Sequence, residues 1–332
     1  MHAPLTQLTR MKKNTLALAL CLTLVACSPK SEAPKEPTQE TVAPTQTVQA
    51  PAGSFSIGEL SAVALRDGAF DFPNDNKIFG VGKKPEDVAA VLTAAGVPTD
   101  KLSVSIQPLL VKSADRVLLF DTGAGANFGP AGGQLTKSLA DAGVDAAGVT
   151  DIFISHPHGD HIGGLLNAEG ALAFPNATVH LGAADWDFLK GLTAETSAAV
   201  GVSNYAALVT ALTPKIDAFA PGADLVPGVV KAVDLRGHTP GHSGYLIGSG
   251  ASSVLYIGDS LHHYIISVQK PDWTVAFDND AAAGQKNRLD VLAKGAENGQ
   301  RIYAVHFPYP GLGKFERRGD SYVWVAETLQ PN

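Results

Sequence analysis

The run His156-Pro157-His158-Gly159-Asp160-His161-Ile162-Gly163-Gly164 constrains this chain more than any other stretch. It follows directly on the apolar segment Asp151-Ile152-Phe153-Ile154-Ser155, so three imidazoles and a carboxylate gather at the end of a predicted strand. In an extended backbone, residues i and i+2 point to the same side, which lets His156 and His158 converge on one cation. Pro157 suits that extended backbone and disfavours a helix before it. Asp160 and His161 are neighbours at the turn where a helix would begin, so they diverge from the first pair toward a second point. Two adjacent metals are then easier to satisfy than one. Gly163 and Gly164 carry no Cβ and let the backbone pass close to the site.

The chain has 332 residues, and its start reads as an address rather than as fold. Met11-Lys12-Lys13 forms a charged segment ahead of the apolar run 16–26, which is too short for a stable membrane anchor. The run closes with Leu24-Val25-Ala26-Cys27, which resembles the bacterial lipobox, where cleavage precedes the Cys and its thiol takes lipid. Residues 1–26 are therefore expected to be a lipoprotein signal peptide, with Cys27 lipidated. Ser28, rather than Asp, after Cys27 implies by resemblance to Gram-negative lipoproteins the outer membrane, with the protein facing the periplasm.

The only two cysteines are Cys21, inside the signal, and Cys27. A mature chain would hold no disulfide, and any metal would rest on imidazole and carboxylate alone. Residues 27–53 are rich in Pro, Glu, Thr, Gln and Ser with almost no large apolar side chain, so they read as a disordered tether. The formal charge is -7, and removing Arg10, Lys12 and Lys13 with the signal leaves 22 bases against 32 acids, a net of -10. So acidic a domain is a poor binder of nucleic acid.

Residues 54–332 hold the folded part, long enough for one large domain or two modest ones. Strands are expected at 55–63, 104–111, 116–121, 179–181, 229–235, 245–247, 254–257, 302–305 and 322–325. Helices are expected at 85–95, 133–142, 183–189, 197–212 and 281–297. Strand runs punctuated by helices, all needing cover, suggest two packed sheets flanked by helices.

A dinuclear site needs further ligands at strand ends, and three positions qualify. His238 follows the strand ending at Leu235, Asp259 follows Leu255-Tyr256-Ile257-Gly258, and His306 follows Ile302-Tyr303-Ala304-Val305. Together with Gly237-His238-Thr239-Pro240-Gly241-His242 and the opening run, these motifs resemble the metallo-β-lactamase-fold hydrolases. Within that superfamily the match is to the methyl parathion hydrolase group and its lactonase relatives. Supporting stretches are Leu118-Leu119-Phe120-Asp121-Thr122-Gly123, Asn127-Phe128-Gly129-Pro130 and His306-Phe307-Pro308-Tyr309-Pro310-Gly311.

That resemblance implies an α/β fold, a four-layer αββα sandwich, over roughly residue 55 to the end. It implies that His156, His158 and His238 hold one divalent metal and that Asp160, His161 and His306 hold another, with Asp259 bridging. Zinc is the default, with Mn, Fe or Co as alternatives. A bridging hydroxide would then cleave a small ester-like bond: a phosphotriester, lactone or carboxylic ester. Asp160 and His262 are the expected catalytic residues, His262 standing where lactonases of this fold often carry Tyr. His262 reads equally as a packing residue. His242 reads as packing or as support for a ligand, and Asp121 as support for a ligand imidazole or as a turn cap.

Phe128, Trp186, Phe188, Trp273 and Phe307 are the aromatic candidates for a substrate pocket, Phe128 foremost because its loop 125–132 is glycine-rich. The expected partners are a small-molecule substrate and, through Cys27, a membrane. Nucleic acid is not expected, and pairing of two copies is left open. The competing functions are a metallo-β-lactamase acting on β-lactams and, from another class, a non-catalytic periplasmic lipoprotein that binds metal or ligand.

Overall fold

The computed structural model describes residues 51–329. The signal at 1–26, the lipidation site Cys27 and the tether as far as residue 50 lie outside the described residues. Among those described, no helix is long and apolar enough to cross a membrane.

Two seven-stranded sheets are built from successive halves of the sequence. The first runs, edge to edge, Ser54–Ile57, Leu60–Ala64, Leu109–Lys112, Val117–Phe120, Asp151–Ile154, Thr178–Gly182 and Ile216–Phe219. The second runs Asp224–Val226, Val230–Asp234, Ser243–Ile247, Val254–Tyr256, Arg301–Tyr303, Leu312–Arg318 and Ser321–Ala326. Parallel pairing in the first sheet joins Val117–Phe120 to Asp151–Ile154, then to Thr178–Gly182 and Ile216–Phe219. Such strands are covered on both faces, which is why Asp151–Ile154 is buried at all four positions.

Alternation along the strands sorts their side chains between layers. Leu118, Phe120 and Phe153 point into the space between the sheets, where they meet Tyr245, Tyr256 and Tyr303. Leu119, Ile152 and Ile154 point outward, onto Leu139, Leu189 and Leu212 of the helices Leu135–Asp141, Ala183–Lys190 and Tyr205–Leu212. On the far side, Ile302 and Phe315 pack against Val291 and Leu292 of the helix Ala281–Asn298. Each large side chain buried in these layers contributes about 1.5–3 kcal/mol. The result is the four-layer αββα sandwich. A smaller cluster of Phe79, Val88, Leu92, Leu102, Val104, Ile266 and Val275 joins the helix Pro85–Ala94 to two short two-stranded ribbons.

Several local readings change. The expected strand at 55–63 is a hairpin of Ser54–Ile57 and Leu60–Ala64, because Gly58-Glu59 forms the turn. The mixed run at 104–111 is broken by Gln107-Pro108 into strands Lys101–Ile106 and Leu109–Lys112, which belong to different sheets. The single helix expected at 197–212 is two, Ala194–Ala199 and Tyr205–Leu212, because Gly201 at φ 70° takes a left-handed turn between them.

Candidate metal centre

Both sheets end their strands at one place. The strand Asp151–Ile154 delivers Ser155 and an extended His156-Pro157-His158, and the backbone of His158 (φ −81°, ψ 156°) is the N-cap of the one-turn helix Gly159–Ile162. That switch aims the first two imidazoles one way and Asp160 with His161 another. The close approach expected at Gly163-Gly164 is present: a Cβ at either would fall 2.0–2.2 Å from the carbonyl oxygens of Ala124 and Thr122. The second sheet contributes His238 from the turn after Val230–Asp234, Asp259 from the short 3-10 turn Gly258–Ser260, and His306 after Arg301–Tyr303. Tyr245 ties the sheets together at this end by donating its hydroxyl hydrogen to the Ile154 carbonyl.

The seven side chains form two groups. His238 Nε2 lies 3.1 Å from His156 Nε2 and 3.0 Å from His158 Nδ1. Asp259 Oδ2 is 3.4 Å from His238 Nε2 and 3.7 Å from His156 Nε2. In the second group, Asp160 Oδ2 is 3.6 Å from both His161 Nε2 and His306 Nε2. Asp259 Oδ1 stands 3.2 Å from His161 Nε2 and 3.1 Å from His306 Nε2. One carboxylate thus presents one oxygen to each group, as a bridge requires.

Proton counting shows what this packing fits. A neutral imidazole has one N–H and one lone pair. His238 Nδ1 gives its hydrogen to Asp278 Oδ1 at 3.1 Å, His161 Nδ1 to Asp121 Oδ2 at 2.7 Å, and His306 Nδ1 to the Ser105 carbonyl at 2.6 Å. Ser155 Oγ donates to Asp121 Oδ2 at 2.8 Å, and so accepts from His156 Nδ1 at 3.0 Å. With those protons spent outward, the inward nitrogens of His156 and His238 carry lone pairs that face each other at 3.1 Å and cannot hydrogen-bond. His161 Nε2 and Asp259 Oδ1 are buried without any hydrogen-bond partner. Converging, unpaired nitrogen and carboxylate donors fit divalent cations, and all the donor atoms within each group lie within 4.8 Å of one another.

The electrostatics divide along the same line. Burial, with the neighbouring imidazoles, pushes His156 and His158 well below the usual histidine range, and burial takes His238 to about 4. These rings are neutral and available as ligands. Burial also opposes charge on His161 and His306, but the Asp259 and Asp160 carboxylates outweigh it and raise both. Burial raises Asp259 in turn, yet His306, His161 and His156 hold it well below the usual carboxylate range. It is ionised.

Of the two readings for Asp121, the structure places its carboxylate behind His161. It also accepts from Ser155 N–H at 2.7 Å and from the Tyr256 hydroxyl at 2.7 Å, on a backbone at φ 57° that a non-glycine residue seldom adopts. His242 points away from the groups. Its Nδ1 donates to the Leu235 carbonyl at 2.8 Å and its Nε2 accepts the Asp259 N–H at 3.0 Å, so it braces the backbone of the shared carboxylate. His262 is buried beside Asp259, with Nε2 3.2 Å from Oδ2 and neither ring nitrogen hydrogen-bonded.

Above these groups lies a cavity of about 390 Å³. Its polar floor includes His158, Asp160, Asp259, His262 and His306, and its walls carry the rings of Phe70, Phe72, Phe79, Phe128, Phe188 and Phe277. Phe128 meets Phe70 edge-on at 5.0 Å and lies against Gly201, where a Cβ would come within 2.6 Å of the ring. Three expected pocket residues are elsewhere. Trp186 is buried beneath the outer face of the first sheet, because its helix turns that side to Leu189 and the core. Phe307 is fully buried next to His306 in sequence, edge-on to Trp324 at 4.9 Å. Trp273 packs on the small helix-and-ribbon cluster, with Lys83 and Lys270 near its ring.

Sequence reasoning passed over several supporting residues. Asp278, which holds His238, is itself paired with Arg288 at 2.8 Å, both 1% exposed. Buried Asp67 accepts from Ala124 N at 2.8 Å, Gly133 N at 3.1 Å and Leu135 N at 2.9 Å, closing both ends of the Phe128 loop. Asp185 accepts from Thr239 Oγ1 and Gly241 N, each at 2.7 Å, and pins the His238–His242 turn; burial raises its carboxyl to about 7 despite those bonds. Each is a lone acid far in sequence from what it holds, and only Asp67-Gly68 has even a turn-like signature.

The comparisons agree with this geometry. Residues 105–298 match the family model described as the metallo-beta-lactamase superfamily. AidC, a dizinc quorum-quenching lactonase solved with the product N-hexanoyl-L-homoserine, superposes with a TM-score of 0.78 at 27% identity, over 85% of this chain and 99% of its own. The hydrolase AbOPH of the beta lactamase superfamily gives 0.74 at 26% identity, with the same coverage. A probable metal-dependent hydrolase from Staphylococcus aureus, at 19% identity and a TM-score of 0.64 over 83% of this chain and all of its own, shares the fold. Ribonuclease Z from Salinibacter ruber is 39% identical over 79 residues, 24% of this chain, and the chain spans about a fifth of the length of the curated relatives it matches. With more than half of its length under the family model and a His/Asp cluster suited to divalent metals at its strand ends, this chain belongs to the metallo-β-lactamase superfamily of hydrolases.

Proposed function

We propose that this chain is a dinuclear hydrolase of neutral, apolar ester-like substrates, grouped with the lactonases and organophosphate hydrolases of its superfamily. The observation that carries the reading is the joining of a His/Asp floor to a phenylalanine-lined cavity that has no lysine or arginine among its described lining residues. A cavity so lined favours a substituent without charge. A phosphodiester, or the carboxylate of a β-lactam, would find no lysine or arginine on those walls, leaving only the metal floor to meet its charge.

His156, His158 and His238 would hold one cation, Asp160, His161 and His306 the other, and Asp259 both. Two bound divalent cations supply a nucleophile from water near neutral pH and polarise the bond under attack, and zinc suits the donor set. The chain's own residues do the rest. Asp121, Asp278 and the Ser105 carbonyl fix the ligand rings, so that no reorganisation is needed as charge develops. His262 lines the cavity beside Asp259 with neither ring nitrogen hydrogen-bonded, placed to donate a hydrogen bond to the substrate oxygen or a proton to the leaving group. The phenylalanine walls exclude water and orient the apolar substituent.

The same proposal sets the enzyme on a lipid anchor at Cys27 on the periplasmic side of a bacterial outer membrane. Incorporation of labelled palmitate into the wild-type chain, and none into Cys27→Ser, is the expected result.

The activity is tested on the full chain loaded with Zn, Mn or Co, against p-nitrophenyl esters, organophosphate triesters, acyl lactones and a chromogenic cephalosporin in parallel. Neutral esters or lactones should be turned over well ahead of the cephalosporin. Equal or faster cephalosporin hydrolysis would reverse the assignment, and no turnover with stoichiometric metal bound would leave a binding protein.

A further inference from the structure

We infer that the two cation positions are unequal: the Asp160, His161 and His306 position fills first, and the His156, His158 and His238 position holds its cation more weakly. The inference rests on the dinuclear reading above and comes from the buried charges around each group.

Besides a share of Asp259, the first-filling position has Asp160 to itself and the direct support of Asp121, which reaches His156 of the other position only through the Ser155 hydroxyl. Asp160 faces it directly, 3.6 Å from both imidazoles. Asp121 stands behind His161, and its other partners, Ser155 N–H, Ser155 Oγ–H and Tyr256 O–H, are all neutral donors. Its negative charge is therefore passed to the ring, which makes the imidazole a stronger donor. Among the described residues no lysine or arginine pairs with Asp121.

The other position has three imidazoles and no carboxylate of its own. The acid behind His238 is Asp278, and its second oxygen is held at 2.8 Å by the guanidinium of Arg288. Arg288 is 1% exposed and fixed from the helix Ala281–Asn298 by further bonds to the carbonyls of Ser260 at 3.3 Å, Pro271 at 2.8 Å and Trp273 at 3.3 Å. Asp278 and Arg288 sum to zero. The surroundings of the two positions thus differ by the charge of Asp160 and by the direct, uncompensated support of Asp121, and inside a protein such a difference is weakly screened. Asp278 is a positioning residue here: it orients His238 while Arg288 cancels its charge.

The test uses the metal-free full chain, titrated with zinc against a chromophoric chelator. Two equivalents should bind with constants separated by tenfold or more. Asp121→Asn should weaken the tighter constant about 10- to 100-fold, and Asp278→Asn the weaker one by a similar factor, with partial recovery in Asp278→Glu. A second measurement needs no variant: the histidine Nδ1–H resonances of His161 and His306 should respond to the first equivalent of zinc, and that of His238 to the second. Two equal constants, or His238 responding first, would overturn the inequality while leaving the dinuclear reading intact. Binding of fewer than two equivalents would overturn both.

Discussion

The floor and the wall of the cavity are built by different rules. Four of the imidazoles at or beneath the floor, His156, His161, His238 and His306, spend their second nitrogen on a hydrogen bond to Ser155, Asp121, Asp278 or the Ser105 carbonyl. Asp121 and Ser155 sit just past the ends of central strands, Ser105 on the ribbon strand Lys101–Ile106, and Asp278 just ahead of the helix Ala281–Asn298. The wall is a set of phenylalanine rings, several on loops and short helices, held by contacts such as Phe128 on Phe70. Strand ends fix atoms to fractions of an ångström, whereas loops change without disturbing the sheets. Reactivity and selectivity are therefore separable in this molecule.

The separation makes ordered expectations. Asp259→Asn removes the carboxylate shared by both groups, so kcat/KM should fall roughly a thousand-fold or more, with an unchanged far-ultraviolet circular dichroism spectrum. Next, His262→Ala should lower kcat about 100-fold on the best neutral ester with little change in bound metal. An unchanged kcat/KM there would move His262 from the floor's chemistry into its packing. Phe128→Ala should act on KM and on the ranking of acyl chain lengths, by about 10-fold between substrates, with kcat for the shortest ester held. If instead it lowers kcat for every ester as far as His262→Ala does, floor and wall are one unit.

The smallest effect on rate, and the one best seen in stability, belongs to Asp185. Its carboxyl is raised from 3.8 to about 7 by burial, so the folded chain keeps a proton that the unfolded chain loses near 3.8. The stabilisation is full below about 4 and is lost as pH rises through 7. Thermal melts of wild type and Asp185→Asn, both free of metal, should show the variant gaining relative Tm between pH 4 and pH 8. Parallel melting curves would remove Asp185 from that account.

Much of the floor was legible because its residues are chemical words at strand ends. His156-x-His158-x-Asp160-His161 is local, and His238, Asp259 and His306 each close an apolar run. The wall was not. Phe70, Phe72 and Phe277 face the cavity only through the antiparallel ribbon Gly68–Pro73 with Lys101–Ile106 and the placing of segment 274–279, which long-range pairing decides. Trp186 and Phe307 show the converse: a large aromatic near a site in sequence is as ready to fill a core. Gly201 divided a helix whose apolar spacing ran straight through it, because a single left-handed residue leaves no trace in periodicity. Supporting acids such as Asp67 and Asp278 have no local signature, since what they hold arrives from 57 and 40 residues away.

Because each sheet is drawn from one continuous half of the sequence, the chain has a natural seam between Phe219 and Asp224. The piece before it carries His156, His158, Asp160 and His161, and the piece after it carries His238, Asp259 and His306. Neither piece alone closes a cation cage, and each buries its inner face only against the other. Co-expressed as separate polypeptides, the halves should therefore reassemble in the manner of a split reporter, with zinc acting as the glue whose concentration sets the yield.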